Sequence, residues 1–257
     1  MIVPDSQIFN AGDIQTGSTY NGSFTDLGNF VLGRPIFYGT NSVSQTIGSG
    51  PITGVSLTSI GVDRDNMFSA APRTLTFTSA SYNGATRAYF TTLEPHGLIA
   101  GDRVVSSGFS LASYNVTASV FGVVSSTQYL AEAPVGTSFT SPWSGTAGVG
   151  LNIPDYRVTI QTKGWYLVFG SVAWAASAVA GMREVSIWKN GSTPAGISDY
   201  YTNYTVNTFA QTFPPQYMYF EVGDKVSLIA LQNSGSDRTL NVANDEISSL
   251  GLIWISN

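Results

Sequence analysis

Cysteine is absent from the 257 residues, which excludes disulfides and thiolate metal sites and leaves the redox compartment unreadable. Histidine occurs once, at position 96. A His-based metal site would therefore lack its usual partner ligands, and no metal is expected. A Ser–His–Asp triad would have to use His96 as its base, and no Gly-x-Ser-x-Gly elbow accompanies it. No Gly-rich phosphate loop is present, and no cofactor is expected. Charged residues make up only 11% of the chain, with a net charge of −5 and a pI of about 4.7. That balance argues against a phosphate-backbone ligand, so no nucleic-acid partner is expected. No apolar run approaches the roughly 20 residues of a membrane span, so no membrane insertion is expected. The N-terminus lacks a positive region followed by an apolar core, and no signal peptide is read there.

What is present is glycine (27 residues) and aromatics (12%), with abundant Ser, Thr, Asn and Tyr. That composition favours many short strands joined by tight turns. A charge-poor surface also suits a chain that buries itself against copies of itself. The densest strand signal is Tyr156 to Asn190. Arg157 to Gln161 is short and half apolar, and Trp165 to Trp174 is almost continuously apolar. After a small-residue loop, Ala175 to Gly181, Val185 and Ile187 alternate with Glu184 and Ser186, the period of a strand with one wet face. Asn190-Gly191 is a strong turn dipeptide.

The pattern Thr162-x-Gly164-Trp165-Tyr166-Leu167-Val168-x-Gly170, a loop ending in Gly-x-Arg, and a strand ending in Asn-Gly together resemble the core of the complement-head or tumour-necrosis-factor-like jelly roll. The version here is similar to the one found in bacteriophage virion proteins. Val222 to Leu228 resembles that family's "GD-x-V-x-L" strand, Gln232 to Gly235 the turn after it, and Leu250 to Ser256 the closing strand. The resemblance implies an all-β jelly-roll sandwich that trimerises.

Earlier in the chain, Ile36 to Tyr38 reads as a strand, Ser42 to Gly48 as turn-rich, and Gly54 to Ile60 as an imperfect alternation. In relatives the acidic segment, here Val62 to Met67, leads through a short loop into a strand that Pro154 to Ile160 fits. The gap of more than eighty residues between them predicts an insertion. The inserted part has its own rhythm of short strands. Its Glu94-Pro95-His96-Gly97-Leu98 to Val104 segment resembles the signature of a small β-barrel-like repeat in phage tail and adhesion proteins. Ser144 to Gly148 reads as a flexible return. The expected organisation is an N-terminal attachment arm over 1–33, a jelly roll over 34–71 and 151–257, and an inserted small β module over 72–150. The alternative is three consecutive domains, with residues 34–69 in none of them.

The arm carries many apolar residues for a free tail, Ile2, Val3, Ile8, Phe9 and Ile14 among them. Their burial on another subunit or another protein would offset the entropy of ordering them. Ala11 to Asn21 partly resembles a motif near the start of phage tail and fibre proteins. Residues 196 to 222 are tyrosine-rich, and Pro214-Pro215 precludes a central strand. Strands are expected from about Tyr204 to Thr212 and from Gln216 to Glu221. Tyr200, Tyr201 and Tyr204 then fall on a loop, either as contacts to a host cell-surface glycan or as packing at a three-fold axis. Asp63, Asp65 and Asn66 lack calcium-loop spacing and read as turn caps. His96, before Gly-Leu, reads as structural. The strand tryptophans read as core or interface.

These readings point to a non-enzymatic bacteriophage virion protein, a homotrimer joined to other virion proteins through its arm. Its expected place is the tail, as a minor tail or fibre-tip protein contacting the host. The alternatives are a capsid decoration protein or head fibre and, in a different class, a tail-associated polysaccharide hydrolase with two close carboxylates.

Overall fold

In a computed structural model, the structure describes residues 33–50, 52–84, 86–133, 137–140, 148–152, 156–191, 193–202, 208–242 and 247–256. The first strands are β1 (Ile36–Thr40), β2 (Thr46–Ile47), β3 (Thr53–Gly54) and β4 (Ser59–Asp63). Next come β5 (Arg73–Tyr82), β6 (Arg87–Thr92), β7 (Arg103–Ser107), β8 (Thr117–Ser125), β9 (Gln128–Glu132) and β10 (Val149–Asn152). The remainder are β11 (Arg157–Thr159), β12 (Gly164–Trp174), β13 (Gly181–Lys189), β14 (Thr193–Thr202), β15 (Phe209–Phe220), β16 (Lys225–Gln232), β17 (Arg238–Thr239) and β18 (Ser249–Ser256).

The strand order identifies the fold as a jelly-roll sandwich. One five-stranded sheet runs β15-β12-β18-β1-β4, and the other runs β11-β16-β13-β14 with β3 also on β16. Apart from the β13–β14 hairpin, the long strands from β12 to β18 pass between the two sheets rather than pairing in sequence, the Greek-key path of a jelly roll. Alternate residues of both sheets point inward and interdigitate. Tyr166, Val168 and Val172 of β12 meet Val185 and Ile187 of β13 in one fully buried cluster with Phe213, Phe220 and Leu252. Trp174, with no exposed surface, closes one end of this core and donates its indole N–H to Gln211 Oε1 at 3.2 Å, which satisfies its polar edge. The β13–β14 hairpin turns where the dipeptide predicts. Asn190 and Gly191 have φ of 54° and 68°, the left-handed region that Asn and Gly enter at little cost.

Strands β5 to β10 form a separate closed barrel, in the order β10-β5-β6-β9-β8-β7. Its centre is aromatic. The Phe90 ring stacks on Tyr129 at 5.5 Å and meets Phe77 at 5.2 Å and Phe109 at 5.7 Å. The barrel begins and ends at one place, because Arg73 and Asn152 are direct partners in the β5–β10 register. Just outside it, Phe68 bridges Val158, and Thr159 N–H donates to Met67 O at 2.6 Å. The jelly-roll chain thus leaves for the barrel and returns at adjacent points.

Three local expectations change. Pro214-Pro215 does not divide the segment. β15 is continuous, and the prolines fall in a bulge opposite Phe169, between the pairs Val168–Gln216 and Gly170–Phe213. β15 is an edge strand of its sheet, and there a missing N–H costs no ladder bond. Tyr200 and Tyr201 are not on a loop. They lie in β14, opposite Arg183 and Met182. Of the segment read as a flexible return, Ser144 to Ala147 lie outside the described residues; Gly148 is held in structure, accepting from Phe77 N–H at 3.1 Å, and Val149–Asn152 is the strand that closes the barrel.

Candidate functional site

The two sheets of the sandwich differ in what covers their outer faces. On the β15-β12-β18-β1-β4 sheet the register aligns outward-facing residues in rows. Trp165 faces Tyr219. Leu167 lies between Tyr217 and Ile253, and Ile253 continues to Ile36. Phe169 faces Gly251, which continues to Tyr38 and then Val62. Trp165 is 44% exposed, Tyr217 67% and Tyr38 38%, and the Trp165 and Tyr219 rings meet edge to face at 5.6 Å. Strands β1, β12, β15 and β18 contain no Asp, Glu, Lys, Arg or His. The result is a broad apolar, aromatic face without a formal charge, of the kind that marks an interaction surface. The Phe169 ring lies flat over Gly251, where any Cβ would collide with it, so the absence of a side chain lets an aromatic carpet the sheet.

The outer face of the other sheet is covered by the barrel along β16 and the end of β13. Ser186, Ser227 and Ile229 point away from the sandwich core, yet all three are buried. The covering element is the loop from Glu94 to Asp102. A Cβ on Gly101 would stand 3.2 Å from Ile229 Cδ1, and one on Gly191 would stand 2.7 Å from Ala100 N. Lys225 Nζ donates to Gly97 O at 3.2 Å, and Arg103 Nη2 donates to Ser56 Oγ at 2.8 Å. At the centre of this seam Arg157 of β11 donates from Nη1 to both oxygens of Asp102, at 2.9 and 3.0 Å. Asp102 has no exposed surface and also accepts from Ile99 N–H at 3.1 Å. Burial pushes its carboxyl up to about 6, against the pull of Arg157 and Lys225. Lys225 is held below its ordinary value by burial first and by the neighbouring Arg157 and Arg73 second.

His96 stands in the same loop, 1% exposed. Its Nδ1 accepts from Leu98 N–H at 2.9 Å, which leaves Nε2–H to donate to Ser125 O at 3.0 Å. This is a neutral ring pinning a turn, and burial holds its pKa below the usual value despite those backbone contacts. Asp63 acts as a turn cap, accepting from Met67 and Phe68 N–H at 2.8 and 3.0 Å, and Asn66 takes a φ of 51°. Among the described residues no group of three or more His, Asp or Glu is placed to hold a metal. Tyr204 and the arm residues Ile2, Val3, Ile8, Phe9 and Ile14 lie outside the described residues. Sequence reasoning missed the pairing of Asp102 with Arg157, which are 55 positions apart. It also missed the apolar sheet face as a unit. The available signal was the absence of charge from the segments that form β1, β12, β15 and β18.

Two clefts follow the seam. One, of about 550 Å³, opens between the chain around β2 and β3 and barrel strands β7 and β8. The other, of about 480 Å³, lies between Phe121 of β8 and Trp188 of β13. Among the described residues, the first is lined by one carboxylate, Asp237, and the second by none.

No family model matches the chain. A curated relative, the uncharacterized protein L688 of Acanthamoeba polyphaga mimivirus, is 32% identical over 110 residues, which cover 40% of this chain and 45% of that protein. The chain thus spans less than half the length of that relative. Among solved structures, pika GITRL matches over 61% of this chain and 97% of its own at 14% identity, with a TM-score of 0.22. The jelly-roll assignment rests on the strand order.

Proposed function

We propose that the chain is a non-enzymatic structural protein of a bacteriophage virion, a homotrimer whose subunits meet through the outer face of the β15-β12-β18-β1-β4 sheet. The observation that carries this reading is the asymmetry of the sandwich. One sheet has its outer face covered by the barrel along β16 and the end of β13, and the other presents Trp165, Leu167, Phe169, Tyr217, Tyr219 and Tyr38, with no charged residue in β1, β12, β15 or β18. A face of that kind marks an interaction surface, and a second and third copy of the same apolar surface supply the cover. At about 25 cal/mol per Å² of apolar area removed from water, such burial is the strongest term available to a chain this poor in charge.

The virion assignment draws on the sequence resemblance of the jelly-roll strands and of the Glu94 to Val104 segment to phage proteins. A viral relative is consistent with it. Attachment through the arm and placement in the tail, at the point of host contact, follow from the same resemblance. The role without catalysis follows from that resemblance as well.

Light scattering on the purified chain tests the oligomer. The expected mass is three times 27.3 kDa, and the double substitution Trp165→Glu with Leu167→Glu should reduce it to the monomer while the circular dichroism spectrum stays unchanged. A wild-type monomer, or a trimer indifferent to both substitutions, would overturn the proposed interface. Immuno-gold labelling of intact phage tests the position: label at the tail tip supports host contact, and label over the head replaces it with decoration.

A further inference from the structure

We infer that the cleft between the β2–β3 chain of the jelly roll and strands β7 and β8 of the barrel is a saccharide-binding site. This rests on the host-contact reading and names its ligand class.

The lining is the argument. Ser44, Thr46, Thr58, Thr117 and Ser119 bring side-chain hydroxyls to one cleft of about 550 Å³, a volume typical of small-ligand sites. A carboxylate, Asp237, and a guanidinium, Arg103, line the same cleft from its two sides. Arg103 is held in position by its 2.8 Å bond to Ser56 Oγ, across the seam. Thr58 is already engaged, accepting from Ser42 N–H at 2.7 Å, and so forms a fixed wall. Ser44, Thr46, Thr117 and Asp237 are exposed to the cleft water.

Each ligand class makes a different demand on such a wall. A phosphate or nucleotide needs an excess of positive charge, and here one cation and one carboxylate cancel. A peptide is anchored by apolar side chains in pockets, and Val43 is the single large apolar residue of the lining. A sugar presents neighbouring hydroxyls, each both donor and acceptor. Serine and threonine hydroxyls match both roles, a carboxylate accepts from two adjacent hydroxyls, and a guanidinium donates to ring or hydroxyl oxygens. The lining contains no aromatic ring for a sugar to stack on. Affinity per cleft should therefore be weak, and useful binding comes from linking three clefts, which raises avidity by about 10²–10⁴.

The test uses the full chain on an array of immobilised bacterial O-polysaccharides, capsular polysaccharides and peptidoglycan fragments. Two variants accompany it, Thr117→Trp to fill the cleft and Asp237→Ala to remove the acceptor. Both positions are exposed, so neither change should disturb folding, and an unchanged melting temperature and mass check this. The expected result is binding to at least one saccharide class, reduced at least 10-fold in each variant. Binding retained by Thr117→Trp, or a wild-type trimer that binds no saccharide on the array, overturns the inference. The second of these leaves the trimer reading standing. Conversely, a monomer whose saccharide binding is lost in both variants supports the cleft and removes the trimer.

Discussion

At the scale of single residues the seam is the most exacting part of the molecule. Asp102 and Arg157 face each other there with almost no water. Taking one partner from such a pair leaves the other charge buried and costs about 3–5 kcal/mol. Arg157→Met should therefore lower stability by that amount at pH 7.5, read by urea unfolding. The sign of the pH dependence follows from Asp102. Its folded-state pKa, about 6, lies above its ordinary value of 3.8, so its contribution to stability is complete below 3.8 and is lost as pH rises through about 6. Without Arg157 the folded-state pKa climbs further and the loss at neutral pH deepens. The cost of Arg157→Met should then be smaller at pH 5, by about 1–2 kcal/mol, because Asp102 takes up a proton there. Equal cost at both pH values would mean that Arg157 acts through packing alone. His96 titrates in the opposite sense. Its pKa is depressed, so its share of stability is complete above 6.5 and falls as pH drops through the folded value.

At the scale of the element, strands β12 and β18 show how a sheet face is finished. Phe169 can lie flat because Gly251 offers no side chain beneath it. Gly251→Val should lift that ring out of the face, at a cost of about 1–3 kcal/mol for overpacking. Both groups point away from the sandwich core, so the fold should survive while self-association weakens. Sedimentation over a concentration series would show this as dissociation at a higher protein concentration than wild type. Unaltered association would remove Phe169 from the contact. The edge strand β15 carries a further device. Its Pro214-Pro215 bulge interrupts the ladder, and proline and bulges on an edge discourage open-ended strand pairing. Association is thereby directed to the face.

At the scale of the whole molecule, the barrel meets the jelly roll through the Glu94 to Asp102 loop, through the Arg103–Ser56 contact and at the two chain crossings. Because Arg73 and Asn152 are paired neighbours, removing residues 73–152 and joining the ends with a short linker closes only a small gap, which costs little loop entropy. The jelly roll should remain folded, with dispersed amide resonances. It should also become less soluble, because Ile229 loses its cover, and Ile229→Thr in the same deletion should restore solubility. An unfolded product would favour consecutive, interdependent domains over an inserted module.

The sequence by itself determined the all-β class and several of the strands, β12 and β13 among them. Period-2 alternation in Val185 to Ile187, the Asn190-Gly191 turn and the apolar run Trp165 to Trp174 are local features, set by backbone sterics and by which residues must share a face. Only the tertiary structure decided what each face meets. Ile229 and Trp165 both point away from the sandwich core, yet one is sealed beneath the barrel and the other stands in water. Alternation records which residues lie on the same side of a strand and carries no information about what covers that side. The same limit hid the Asp102–Arg157 pair, the closure of the barrel by the glycine-containing strand Val149–Asn152, and the placement of Tyr200 and Tyr201 in β14. Each depends on partners far away in the chain, and long-range pairing is decided when packed surfaces meet.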